Sequence, residues 1–489
     1  MPINRCAARC SHCKPISRRE FVSVASASFA TAPMLAGWLS GQTAQAGVIK
    51  PKGPASQCVP SIKVCFVRRE GEYGMRWPGQ IYDGKTALAE YSKKIEATAR
   101  ELGLKINLTP KPIYGDQEAD AWIAEAVAQK PDGLLVVLLD RQEHAWPTAN
   151  KAIDTKIPTV VFSPIGTSFT TNTSVPSRKP GCFICSTDDF RQVAYGMKML
   201  QARAKMQATR CLVLRGSRSV DRVMPHLGIQ LRYVPAGTFL EEYQKTPVDD
   251  AVKAMAKEIL QGTRQRKGVE EQDVINGIKS YLVAGRLMER AEADAITMDC
   301  LGALGKSKVS LPCIAWSKMN DDGIPAACEA DLGAVASQVI VQYLFDRPGF
   351  QQDPVAETAR EALIGAHCSC PTRLHGFNKP PEPYDILPHH GARDATKRTL
   401  WKVGQRVTVV DVMLGSAKAK PKMLISAGEV LDNVSAPPAG GCVVSVMIKL
   451  DKVTDTLAYP GFHQLFLYGD FKRELRDFCR LIDVEPMVV

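Results

Sequence analysis

From Ser61 onward, short continuous apolar runs alternate with longer stretches whose apolar positions recur every three or four residues. Ile62–Val67, Lys105–Thr109, Gly133–Leu139 and Thr159–Phe162 read as strands. Between them Thr86–Leu102, which stops at Gly103, and Ala119–Ala128 and Trp146–Ile153 read as helices. Strands that are apolar throughout and separated by helices predict a parallel sheet covered on both faces. The expected class is α/β, with a doubly wound N-terminal domain over residues 61–178 whose ligands sit beyond the carboxyl ends of its strands. A Thr/Ser/Pro-rich stretch between Phe169 and Cys182 marks the next boundary. A second doubly wound unit is expected over 179–352, built from helix Asp189–Lys205, strand Cys211–Arg215, helices Val248–Leu260 and Glu270–Ala291, strand Ala295–Met298 and the apolar run Leu311–Ala315. Leu332–Phe345 reads as an apolar helix near its end.

From Thr399 the period changes to two. Val407–Leu414, Lys422–Gly428 and Cys442–Lys449 read as antiparallel strands around turns at 436–441. They predict a smaller β-rich, barrel-like C-terminal domain over 353–489, closed by an amphipathic helix Lys472–Leu481. The Pro- and His-rich stretch Gly376–Arg393 reads as a loop, with His389 and His390 as a solvated pair, and the Pro/Gly-rich residues 47–60 read as a linker.

Length and composition narrow this picture. A chain of 489 residues exceeds one ordinary core and suits two to four domains. Net charge is +11, but residues 1–46 hold five Lys/Arg against one Glu, so the remainder carries 57 minus 50, or +7. Those basic residues are scattered and aromatics are 7%, which gives no basis for nucleic acid as a partner. The first residues read as an address: Ser17-Arg18-Arg19-Glu20-Phe21-Val22 is a twin-arginine pattern, followed by a weakly apolar run and Ala44-Gln45-Ala46, a cleavage signal of small residues. The apolar run holds several Ser/Thr and falls short of the ~20 strongly apolar residues a spanning helix needs. The expectation is therefore a periplasmic or otherwise extracytoplasmic protein with no stable membrane insertion after the signal (1–46) is removed. Export would suit one or two disulfides among the 15 cysteines, with no pairing assigned. Cys182-Phe-Ile-Cys185 is a lone CxxC in the mature part and a weak sign of zinc or redox work.

Candidate chemistry is concentrated late in the chain. No GxGxxG or Walker pattern follows any strand, so nucleotide binding has no support. Arginine-bearing loops at 68–77 and 140–144 could meet a polyhydroxyl or anionic substrate, or simply be solvated. Between Pro325 and Pro371 lie Glu329, Asp331, Asp353 and His367, and His463 follows near the C-terminus. Carboxylates with one or two imidazoles are what Mn²⁺ or Mg²⁺ favour, whereas thiolates select zinc or copper. Glu329, Asp353 and either His367 or His463 make such a set, with room for two substrate oxygens. A vicinal hydroxy-carbonyl chelated there would be acidified at the carbon beside its carbonyl. Residue types alone equally allow Glu329 and Asp331 to be simple caps of the helix that follows.

Pro325-Ala-Ala-Cys-Glu-Ala-Asp-Leu332, Asp353, Gly365-Ala-His-Cys368 and Phe462-His-Gln-Leu-Phe-Leu-Tyr-Gly-Asp470 together resemble the L-fucose isomerase and L-arabinose isomerase superfamily. The resemblance spans the mature chain in outline and is specific in these motif regions. It implies that Glu329 and Asp353, 24 residues apart, bind Mn²⁺ (or Mg²⁺ or Co²⁺), with His463 as third ligand. It also implies that the same two carboxylates move a proton through an enediol, interconverting an aldose and a ketose. His367 matches a position that is a ligand in the arabinose branch, which leaves His367 and Asp331 as alternative ligand or substrate-binding residues. Family members form oligomers, so a trimer or hexamer is expected, with Arg76 reaching toward a neighbour's site. The departures are a shorter C-terminal part, Cys368-Ser-Cys370 after the histidine, and the export signal. A carbohydrate-binding or sensing protein on the same scaffold is the alternative reading.

Overall fold

The structure is a computed structural model, described for residues 48–71, 74–75, 82–389, 393–416, 418–435 and 442–489. The twin-arginine segment, Arg76, His390 and the turn at 436–441 lie outside the described residues. Residues 49–489 form one compact unit. Among the described residues no helix is long and apolar enough to cross a membrane.

The first sheet contains β1 Ser61–Val67. After the short pair β2 Gly74–Met75 and β3 Tyr82–Asp83 come β4 Lys105–Leu108, β5 Gly133–Leu138, β6 Thr159–Ser163 and β7 Cys182–Ser186. The sheet is parallel, in the order β4-β1-β5-β6-β7. Every residue of β5 is buried, because helices cover both faces: Leu135 and Val137 join one core and Leu134, Val136 and Leu138 another. Helix Gly84–Leu102 begins where Asp83 accepts the amides of Lys85 and Thr86, and ends at Gly103, whose φ of 63° suits a residue without Cβ.

The expected boundary near residue 178 is displaced. Cys182–Ser186 pairs with β6 and completes the first sheet, so the CxxC lies along a strand and both its cysteines are buried. The second sheet then follows, with β8 Arg210–Leu214, β9 Val220–Val223, β10 Gln230–Val234, β11 Ala295–Met298 and β12 Ala326–Cys328 in the order β12-β11-β8-β10-β9. It is parallel except for the exposed edge strand β9. The apolar run at 311–315 enters helix Cys313–Asp321 rather than a strand. The expected linker is also docked: Ile49 N–H donates to Tyr281 Oη, and the amides of Ala55 and Ser56, in the short helix Pro54–Gln57, donate to Asp294.

The C-terminal part contains β13 Phe350–Glu357, β14 Ala362–His367, the hairpin β15 Tyr384–His389 and β16 Arg393–Thr399, then β17 Arg406–Met413, β18 Lys422–Asn433, β19 Val444–Leu450, β20 Gln464–Tyr468 and β21 Glu485–Val488. Six strands close an antiparallel barrel, β17-β20-β13-β14-β19-β18 and back to β17, while β21 lies parallel on β18. Closure leaves these six strands without a free edge. Phe350, Leu363, Val407, Val409, Val446 and Phe466 fill the interior, so it is a packed core rather than a pore.

Helix Leu332–Phe345 joins the two halves. It is apolar almost all round and packs at once on β12 and on the outer wall of β17 and β20. Gly333 permits the approach, since a Cβ there would fall 2.7 Å from the Val412 carbonyl. One helical turn on, Ser337 Oγ accepts the Val412 amide at 2.9 Å. The carboxyl end of the second sheet is thereby held beside one end of the barrel.

Candidate metal centre

Five of the sequence-predicted side chains meet at that seam. β12 ends at Cys328, whose amide donates to Gln351 Oε1 of β13 at 2.8 Å, tying the parallel sheet to the barrel. Glu329 and Ala330 then take left-handed backbone, with φ 62° and 53°, before helix 332–345 begins. Such conformations cost about 1–2 kcal/mol for residues with a Cβ. They are held by Ala330 N–H on Met298 O and Asp331 N–H on Cys328 O. From the barrel, register aligns the rest: Gln352 faces Gln464 across β13 and β20, and Asp353 faces Ala366 across β13 and β14. Asp353, His367 and His463 therefore sit at one level on three neighbouring strands or their ends.

His463 is central. Its Nε2 lies 3.2 Å from Asp353 Oδ1 and 3.5 Å from Glu329 Oε2, while Nδ1 lies 2.9 Å from Asp331 Oδ2. His367 Nε2 is 3.9 Å from Glu329 Oε1. One ligand atom each from Glu329, His367 and His463 lies within 4.8 Å of the other two. The imidazoles are buried, at 2% and 5% side-chain exposure, whereas Glu329 and Asp353 keep 36% and 35%. The cluster thus has a closed imidazole floor and an open carboxylate rim.

Asp331 fills the capping role weighed for it and adds a second, behind His463. Its Oδ1 accepts the Ala334 amide and caps helix 332–345, and its Oδ2 pairs with His463 Nδ1. That second bond turns His463 so that Nε2 faces Glu329 and Asp353, the way a carboxylate behind a ligand histidine sets its ring.

Electrostatics follow from the crowding. His463, at 3.5 Å, holds the Glu329 carboxyl below its usual range against the opposing effect of burial. Burial raises the Asp331 carboxyl, but His463 and the Ala334 amide outweigh it and leave the group lowered. Burial alone would lower the His463 imidazole; Asp331, Asp353 and Glu329 overcome this and push it up to about 11. The proton on His463 is then the counter-charge for three acids. A divalent cation among the same groups would replace it.

The donor set fits such an ion on one further observation. Asp353 Oδ1, His367 Nε2 and His463 Nε2 are all buried, and none makes an aligned hydrogen bond to a protein group. Close approach without alignment is expected where several lone pairs aim at one point. Two carboxylates and two imidazoles suit Mn²⁺, Co²⁺ or Mg²⁺.

Other candidates lie elsewhere. Arg69 pairs with the fully buried Asp140 through two bonds of 3.0 Å, so this part of the N-terminal loops is structural. Asp299 caps helix Cys300–Leu304 by accepting the Gly302 amide. His389, expected in a solvated loop, is 3% exposed at the end of β15 and outside the carboxylate cluster. The twelve described cysteines are free thiols, against the expected disulfides.

Sequence reasoning missed Asp411. It is 4% exposed in β17 and accepts the Phe462 amide at 3.2 Å, next to His463. Burial, with the nearby Asp331 charge, pushes its carboxyl up to about 6. Its signal was present, because Asp411 shares the core-facing parity of Val407 and Val409.

Fold and site together define a mixed α/β protein with a candidate divalent-cation centre where a parallel sheet meets a closed barrel. No protein-family model matches the chain, and no curated protein matches it.

Proposed function

We propose that this protein is a metal-dependent aldose–ketose isomerase acting on a free sugar through an enediol. The observation that carries the reading is the cluster of Glu329, His367 and His463, with Asp353 3.2 Å from His463, and three buried polar atoms lacking aligned partners. A bound Mn²⁺, Mg²⁺ or Co²⁺ would supply Lewis-acid polarisation of a hydroxy-carbonyl. Glu329 and Asp353, ligands that also line the open rim, are the pair that moves the proton between adjacent carbons. His463 is held in register by Asp331, and the buried His367 closes the floor against water. The motif resemblance to the L-fucose and L-arabinose isomerases gives the same assignment of residues. With it come the finer fold reading of two doubly wound domains, a trimeric or hexameric assembly and a contribution from Arg76. We read the N-terminal segment as a twin-arginine export signal, which places the mature protein outside the cytoplasm.

The test is incorporation of deuterium from heavy water by the manganese-loaded protein, across a panel of aldoses. Label at the carbon beside the carbonyl supports isomerisation. Saturable sugar binding without label overturns it in favour of a carbohydrate-binding protein on this scaffold.

A further inference from the structure

A second cluster lies beside the first and differs from it in chemistry. Cys313, Cys368 and His389 come from three separate segments, are 3%, 7% and 3% exposed, and bring one ligand atom each within 4.8 Å of the others. Cys313 Sγ lies 3.2 Å from Cys368 Sγ.

The surrounding bonds hold this arrangement firmly. Cys313 opens helix Cys313–Asp321, which fixes its position in the cluster. At the other end of that helix, Asp321 accepts the amides of Thr372 and Arg373 and the Thr372 hydroxyl, at 2.6 to 2.8 Å, and pairs with Lys397 of β16. Ser317 Oγ donates to Cys370 O at 2.7 Å. The helix thus clamps the segment containing Cys368 and the hairpin containing His389. An irregularity in register between Pro388 and His389 re-aims the histidine where the hairpin ends. Cys328 Sγ lies 3.1 Å from the hydroxyl of Ser369, the residue after Cys368.

A disulfide between Cys313 and Cys368 would engage two of the three groups that the fold brings within 4.8 Å of one another. A borderline-soft cation accounts for all three, since thiolate and imidazole are the donors that select it over Mg²⁺ or Mn²⁺. We propose that Cys313, Cys368 and His389 form a structural zinc site, separate from the oxygen-rich centre, with Cys328 as the candidate fourth donor. Binding releases the thiol protons of Cys313 and Cys368 to solvent, and that of Cys328 as well where it completes the set. Cys368 Sγ lies 3.6 Å from His367 Nδ1, so an ion here would also steady the imidazole floor of the first centre. The inference stands whether or not the protein is an isomerase.

The probe is Co²⁺ loaded into the full chain under reducing conditions, read by thiolate-to-cobalt charge-transfer absorption in the near ultraviolet. The site predicts this absorption, its loss in Cys313→Ser and His389→Ala, and its retention in Glu329→Gln and Asp353→Asn. No such absorption in the wild-type chain, or absorption unchanged in Cys313→Ser, overturns the proposal. Should the cysteine variant fail to fold, the native zinc-loaded chain is alkylated before and after a chelator, with circular dichroism confirming that the fold persists. Peptides of Cys313 and Cys368 labelled only after chelation support the site. Equal labelling in both states, or recovery of the two peptides as a disulfide in loaded protein, overturns it.

Discussion

At the scale of single residues, the side chains that would touch a cation are distinct from those that orient them. Glu329→Gln and Asp353→Asn should each abolish tight manganese binding, whereas His389→Ala should leave it intact. Metal analysis after gel filtration of the three variants checks this, and equal manganese in all of them would reject the assignment. Asp331→Asn is a finer probe. Asparagine caps a helix as well as aspartate does, so the fold should hold while His463 loses its charged partner. Manganese affinity should then fall by about 10- to 100-fold, the usual effect of removing a carboxylate behind a ligand histidine; titration calorimetry measures it. Spacing and resemblance made Glu329, Asp353 and His463 legible in the sequence. The division of labour was not, because whether Asp331 caps a helix or orients an imidazole depends on a residue 132 positions away. The left-handed backbone at Glu329 and His463 was equally hidden, since neither is a glycine.

At the scale of elements, buried polar side chains hold the pieces in place. Asn320 pairs with β12 as another strand would, donating to Ala326 O and accepting the Ala326 amide, and also accepts from Gln342 of helix 332–345. Asn320→Ala should destabilise the protein by roughly 2–3 kcal/mol, because buried polar groups lose their partners. Chemical denaturation reads that loss, and a change under 1 kcal/mol would contradict the role. At the other end of the barrel, Arg406 of β17 and Lys472 of the last helix both reach Asp451. Arg406 is the larger cause of an Asp451 carboxyl held down at about 2. Since the unfolded value is about 3.9, the stabilisation is fully present above that pH and is lost as pH falls toward 2. The stability difference between wild type and Asp451→Asn should accordingly shrink between about pH 4 and pH 2. A difference that stays constant across this window would count against the linkage. Helix 332–345, a long apolar run, and β17, with its alternating pattern, were legible. The hairpin β15–β16 was not, because prolines and histidines disguised strands that gain their burial from distant elements, among them helices Cys313–Asp321 and Glu271–Ala291. The strand Cys182–Ser186 was assigned across the boundary, since a Thr/Ser/Pro-rich connection looks the same within a domain as between two.

At the scale of the whole molecule, the centre takes its groups from both sides of the seam between second sheet and barrel. A ligand that binds only the folded chain stabilises it by about 2.7 kcal/mol at a hundred times its dissociation constant. Manganese should thus raise the thermal midpoint of the wild type and leave that of Glu329→Gln unmoved, as calorimetry with and without the ion would show. The mixed α/β class and the change to a β-rich C-terminal part could be read from where the hydrophobic period switches from helical to alternating. The barrel-like form was expected, but its strand order was not legible, because closure rests on the pairing of β17 with β18 and on β13 and β14 entering between β20 and β19. Anomalous diffraction at the manganese edge from crystals of the loaded protein tests the central claim most directly. The account predicts a single strong peak coordinated by Glu329, Asp353 and His463 Nε2, with Asp331 behind the histidine. A manganese-loaded crystal with no peak among these side chains would contradict it.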